Sequence, residues 1–143
     1  MIELRTLGPE WIGDVRSLWT EAGLSIRPDG RDAPEAMTRE LEETGSFLLG
    51  AFDSEELIGV ILGTDDGRKG WLNRLAVKPS HRRRGVARAL VRRCEKIFKE
   101  RGRGMVAGLI EEGNFASFAL YDALGYGTRR DIVYLRKMFD PSW

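Results

Sequence analysis

Leu72-Asn73-Arg74-Leu75-Ala76-Val77-Lys78-Pro79-Ser80-His81-Arg82-Arg83-Arg84-Gly85-Val86-Ala87 runs from a strand-like segment through a tight basic turn to the start of a helix. The first backbone N–H groups of a helix have no partner within it and lie at the positive end of its dipole, so an anion is favoured there. Gly85 and Ala87 leave room for an anion to reach the backbone, and Arg82, Arg83, Arg84 and Arg88 add charge that phosphate oxygens can pair with. Two familiar phosphate loops are ruled out: there is neither a G-x-x-x-x-G-K-[ST] stretch nor a G-x-G-x-x-G turn with an acid about twenty residues on.

Upstream, residues 2–6 alternate apolar with charged, as a strand does. Pro9 opens a helix with Trp11, Ile12, Val15, Leu18 and Trp19 on one stripe, and residues 34–44 form a weaker helix with Met37 and Leu41 turned inward. Residues 46–52 and 57–63 are apolar runs separated by four polar residues, the pattern of an antiparallel hairpin. The next strand, 71–77, is read with Trp71, Asn73, Leu75 and Val77 on one face and Leu72, Arg74 and Ala76 on the other.

Downstream, Val86, Leu90, Val91, Cys94, Ile97 and Phe98 fit the buried face of a helix over 85–101. Residues 105–110 are expected as a buried strand, Asn114 as the cap of a helix to about Leu124, and residues 131–138 as a last strand. The outcome is one α+β domain over residues 1–143 with a mixed, mostly antiparallel central sheet.

Lys and Arg number 23 against 22 Asp and Glu, so the +1 net charge supplies no global attraction for nucleic acid or an acidic membrane. One cysteine, Cys94, and one histidine, His81, preclude an internal disulfide and argue against a metal centre. Cys94 sits on the apolar stripe and reads as core, and His81 is expected to face solvent in its loop. No apolar run approaches the roughly 18–20 residues of a membrane span, and the start of the chain has no apolar signal core, so the expected location is cytoplasmic.

Arg82-Arg83-Arg84-Gly85-Val86-Ala87, after a strand ending Leu75-Ala76-Val77, resembles the R/Q-x-x-G-x-G/A pyrophosphate motif of the GNAT N-acetyltransferase family. A second stretch, Asn114 to Tyr126, is similar to that family's N-x-x-(A/S)-x-x-x-Y-x-x-x-G-(F/Y) segment. The resemblance covers nearly the whole chain and is nearest to small stand-alone prokaryotic members, including those grouped with ribosomal-protein N-terminal acetyltransferases. It implies a GNAT fold with helices on both sheet faces and a splayed central strand pair. It also implies transfer of the acetyl group of acetyl-coenzyme A, without a metal and by direct attack, to a primary amine: a peptide or protein N-terminus, a lysine or a small amine.

Residue by residue, the resemblance assigns the coenzyme arm to the backbone of Leu75, Ala76 and Val77, with a strand N–H, that of Val77, polarising the thioester carbonyl. The pyrophosphate falls to the N–H groups from Arg83 through Val86 to Ala87, aided by the arginines. Asn114 would touch the arm, although a helix cap explains it as well. Tyr121 would protonate the departing thiolate, a role suited to a phenol that is neutral at pH 7, or else it is one more packed aromatic. Where the family often places a Glu or His as general base, this chain has Trp71, Asn73 and Leu109. Glu21, Asp65, Glu111 and Glu112 are the carboxylates left to serve, alongside an ordered water or an already neutral amine.

Trp19, Leu24, Arg27, Asp29, Trp71 and Asn73 are candidates for the acceptor side, with Arg27 or Arg74 able to read an acidic acceptor. The missing base leaves a non-catalytic acyl-coenzyme A sensor as the alternative function. Association into a homodimer through terminal strands or the sheet edge is a family-level expectation.

Overall fold

A computed structural model describes residues 1–143. Five strands form one sheet in the order β1-β2-β3-β4-β5: β1 Ile2–Leu7, β2 Phe47–Asp53, β3 Glu56–Asp65, β4 Gly70–Val77 and β5 Val106–Gly108. The first four pair antiparallel and β5 joins β4 in parallel. Helices α1 Ile12–Glu21 and α2 Pro34–Glu43 cover one face, while α3 Val86–Glu100 and α4 Phe115–Ala123 lie on the other. This is an α+β arrangement with helices on both sides of a mixed sheet.

Each face has its own core because strand side chains alternate. Leu7, Leu48, Phe52 and Val60 meet Ile12, Val15, Leu18 and Trp19 of α1 on one side. Phe47, Leu49, Ile58, Ile61 and Leu72 meet Val86, Leu90, Val91, Cys94 and Phe98 of α3 on the other. Gly70 is what lets α3 sit so close, since a Cβ there would come within 2.5 Å of the Phe98 ring.

The pairing of β4 departs from the simple alternation read in the sequence. Asn73 lies opposite Leu62 and Ala76 opposite Val60, so Arg74 and Leu75 together face Ile61 in a β-bulge. Arg74 takes φ +54°, the left-handed region that such a bulge uses. The extra residue shifts the phase. Trp71 and Asn73 share the α1 face with Ala76, whereas Leu72, Leu75 and Val77 share the α3 face.

Two other expectations change towards the C-terminus. The strand expected over 105–110 is only three residues long, and Met105 and Leu109 are more than half exposed. Residues 131–138 form no strand, and Ile132, Val133, Tyr134 and Leu135 are all exposed. A strand needs a ladder partner, and a three-residue β5 offers little edge for one to form on.

Candidate functional site

β4 and β5 pair only through Gly70–Val106, Trp71–Ala107 and Leu72–Gly108. Beyond Leu72 they part, and the rest of β4 has β3 as its only neighbour. The N–H of Lys78 donates to the carbonyl of Ile58 on β3 at 2.8 Å. Successive residues of a ladder point in opposite directions, so the backbone groups of Val77, and of Leu75 two residues before it, are turned outward to the open side. A strand edge leads from there to the basic turn, and of its groups the Val77 carbonyl is taken by the Arg82 guanidinium.

Pro79–His81 is a single 3-10 turn, and the chain then reverses through Arg83 at φ +63° and Gly85 at φ +78° before α3 begins. Nothing lies within 4 Å of where a Cβ of Gly85 would stand. The space beside Gly85, at the positive end of a 15-residue helix, is therefore open. Arg83, Arg84 and Arg88 are exposed and in no ion pair, so their charge is free for phosphate. Arg82 turns the other way: its guanidinium donates to the carbonyls of Val77 and, at 3.2 Å, Ala22, tying the turn to the end of α1.

His81 is buried rather than solvent-facing. Its Nε2 lies 3.0 Å from Asp53 Oδ2 and its Nδ1 lies 2.8 Å from Ser80 Oγ, which pins the basic turn to the β2–β3 hairpin. Lys78 reinforces the link by donating to Glu56 at 2.8 Å.

Tyr121 projects from α4 onto the α3-side core, the cluster that Leu75 and Val77 also border. Burial, and to a smaller degree Cys94, push its phenol up to about 12, so it is protonated across the neutral range. Its ring meets Tyr126 edge to face at 5.1 Å. Asn114 Oδ1 accepts from the Ser117 N–H at 3.1 Å, which makes it the cap of α4. Burial drives the Cys94 thiol up to about 12, so it is a core group and no nucleophile.

Trp71 and Asn73 come together beside the point where β4 and β5 part. Asn73 Nδ2 donates to Thr64 Oγ1 at 2.9 Å and Trp71 Nε1 to Asp66 Oδ2 at 3.1 Å, and with Leu109 and Tyr134 they line a shallow depression. Thr64, Asp66 and Tyr134 were absent from the sequence reading; the hairpin register that sets Thr64 opposite Trp71 is the signal that reveals the first. Arg27 is exposed in the loop after α1 and does not line this depression. Trp19 is wholly buried, and its Nε1 donates to the Arg74 carbonyl at 3.1 Å. Arg74 cannot read an acidic acceptor, because its guanidinium is held by the buried Asp32 carboxylate and the Ser25 carbonyl.

The carboxylates considered as bases also separate. Asp65 is clamped by Arg101 at 3.0 Å and Arg103 at 2.8 Å, and the Arg103 hydrogen bond leads the causes that hold it near 2. Glu21 lies 3.8 Å from Lys78. Glu111 and Glu112 are exposed in the turn before α4. No cluster of three or more His, Cys, Asp or Glu side chains is placed to hold a metal ion.

Residues 12–126 match the model of the acetyltransferase (GNAT) family. The acetyltransferase SG1711 of Sodalis glossinidius (strain morsitans) is 30% identical over 136 residues, which span 95% of this chain and 94% of that protein. Among solved structures, the aminoglycoside acetyltransferase AAC(6')-Iy, bound to a coenzyme A–acetylneamine bisubstrate analogue, superposes with TM-score 0.81 at 20% identity, covering 96% of this chain and 99% of that one. The PaiA N-acetyltransferase of Thermoplasma acidophilum, in complex with coenzyme A, gives 0.79 at 23% identity over 90% and 91%. The chain belongs to the acetyltransferase (GNAT) family, and it is an acetyl-coenzyme A-dependent N-acetyltransferase.

Proposed function

We propose that this enzyme transfers acetyl to a primary amine, by direct attack, along a path laid out by the outer edge of β4 and the start of α3. The observation that carries this reading is the open backbone of Leu75 and Val77 running into the uncovered N-terminus of α3 at Gly85. Leu75 and Val77 hold the pantetheine amides through their outward backbone groups, Ala76 between them being paired with Val60 on β3, and the outward N–H of Val77 polarises the thioester carbonyl. The N–H groups from Arg83 to Ala87 take the pyrophosphate, with Arg84 and Arg88 pairing the remaining charge and Arg82 bracing the turn. Asn114 acts by capping the helix that carries Tyr121.

Tyr121 gives its proton to the departing thiolate, for which a phenol that stays protonated through neutral pH is suited. The acceptor amine lies in the depression beside Trp71 and Asn73. Asp65 and Glu21 are engaged in ion pairs, so the amine enters neutral or yields its proton through solvent. A small amine or a peptide N-terminus fits so open a depression, and neighbours of this fold are named as aminoglycoside N-acetyltransferases.

Residues 1–143 act as one domain in the cytoplasm, where a single buried cysteine suits a reducing environment. A second copy of the chain covers the exposed apolar segment around Ile132 and Leu135. Tyr121→Phe is the direct test of the chemistry. It should lower kcat on the order of 10²-fold, followed as thiol release with a panel of amines, and leave coenzyme A affinity within about twofold. Unchanged kcat would remove Tyr121 as the acid.

A further inference from the structure

Residues 109–143 carry Tyr121, yet they have a single hydrogen bond to the rest of the molecule: the Tyr126 hydroxyl donates to Glu95 Oε2 at 2.6 Å. No ion pair crosses that boundary. α4 contains no fully buried residue and leans on α3 through Leu120, Tyr121 and the buried Leu124. Apolar contacts of this kind set the height of a helix but do little to fix the rotation of a ring, because they are non-directional.

Glu95 is well placed to supply direction. It follows Cys94 on α3, its side chain is 15% exposed, and Arg92 donates to its other oxygen at 2.9 Å. Burial alone would raise its pKa, but the hydrogen bonds from Tyr126 and Arg92 outweigh that and keep it below the usual carboxylate range. The Tyr126 hydroxyl therefore meets a charged acceptor, the stronger kind of hydrogen bond. Its ring stands edge to face against Tyr121, with an interplanar angle of 74°. The Tyr121 hydroxyl itself has no hydrogen-bond partner in the protein, so nothing polar orients it directly.

We propose that Glu95 and Tyr126 are positioning residues for the acid: the carboxylate anchors Tyr126, and the edge of Tyr126 fixes the rotation and depth of Tyr121. This rests on the assignment of Tyr121 as the proton donor. An acid acts only within hydrogen-bond reach of its target, and displacement by an ångström is enough to lower turnover by up to about 10²-fold.

The test is a set of variants compared for kcat, KM for acetyl-coenzyme A and thermal midpoint. Tyr126→Phe keeps the ring and loses the anchor; it should lower kcat about 10-fold with KM within about twofold. Glu95→Ala should match it, and Glu95→Gln, which keeps an acceptor oxygen, should restore kcat to within about threefold of the parent. In a Tyr121→Phe background, Tyr126→Phe should lower kcat no further, because the two act as a unit. An equal fold-loss in both backgrounds, or no loss in either, would overturn the positioning role. Parental kcat in Tyr121→Phe alone would instead strike the acid assignment beneath it. Should Tyr126→Phe unfold, the Glu95→Ala and Glu95→Gln pair decides the matter by the same criteria.

Discussion

At Asp65 the chain has turned a carboxylate into a staple. Arg101 and Arg103 grip it from the end of α3, and Arg101 also donates to the Gly45 carbonyl ahead of β2. Its pKa falls from the ordinary 3.8 to about 2, the Arg103 hydrogen bond being the largest cause. A carboxyl depressed by folding contributes stability that is full above its unfolded pKa and lost as pH falls through its folded one. That contribution should therefore be present above pH 4 and fade towards pH 2. Urea midpoints at pH 6 and pH 3 check this: the parent should lose more between them than Asp65→Asn, which has nothing there to titrate. Parallel losses would show that the clamp adds no acid-sensitive stability. The sequence offered Asp65 only as a base among several, because nothing local reveals that two arginines 36 and 38 residues away converge on it.

The bulge in β4 is the element on which the site turns. It is held from outside the strand: Asp32 and the Ser25 carbonyl take the Arg74 guanidinium, and Trp19 bonds the Arg74 carbonyl beneath it. Asp32 also accepts the Arg27 N–H at 2.7 Å, so the loop after α1 and the bulge are fastened together. Breaking a buried ion pair from one side leaves an uncompensated charge, so Asp32→Ala should cost about 3 kcal/mol in denaturant unfolding. It should also raise hydrogen exchange in residues 24–33. Loss of stability without loosening of that loop would contradict the linkage.

Most elements were legible in the sequence. The 3.6-residue stripe from Val86 to Phe98, the Asn114 cap and the Asp53–Glu56 hairpin all rest on local chemistry that the structure repeats. The bulge was not legible, because a left-handed arginine has no sequence signature and is paid for by a distant aspartate. That one unseen residue reversed the faces assigned to Leu75 and Val77. His81 was misread for a related reason: its partner Asp53 is 28 residues away and reaches it only after the hairpin has formed.

For the molecule as a whole, residues 131–138 have the apolar pattern of a strand but expose it. Ile132, Val133 and Leu135 are 67%, 77% and 85% accessible, more than scattered surface hydrophobics account for. The proposed second copy gives them a partner, so light scattering should report a dimer, and Leu135→Asp should shift it to monomer. A monomeric parent at tens of micromolar protein would exclude that assembly.

In the proposed function the start of α3 and the free edge of β4 together hold the acetyl donor. Calorimetric titration of acetyl-coenzyme A into the parent and into Gly85→Glu tests it most directly. Gly85 adopts φ +78° with open space above it, so a carboxylate there would face the pyrophosphate. Saturable binding to the parent and none to a folded Gly85→Glu is the expected outcome; equal affinity in both would place the donor elsewhere.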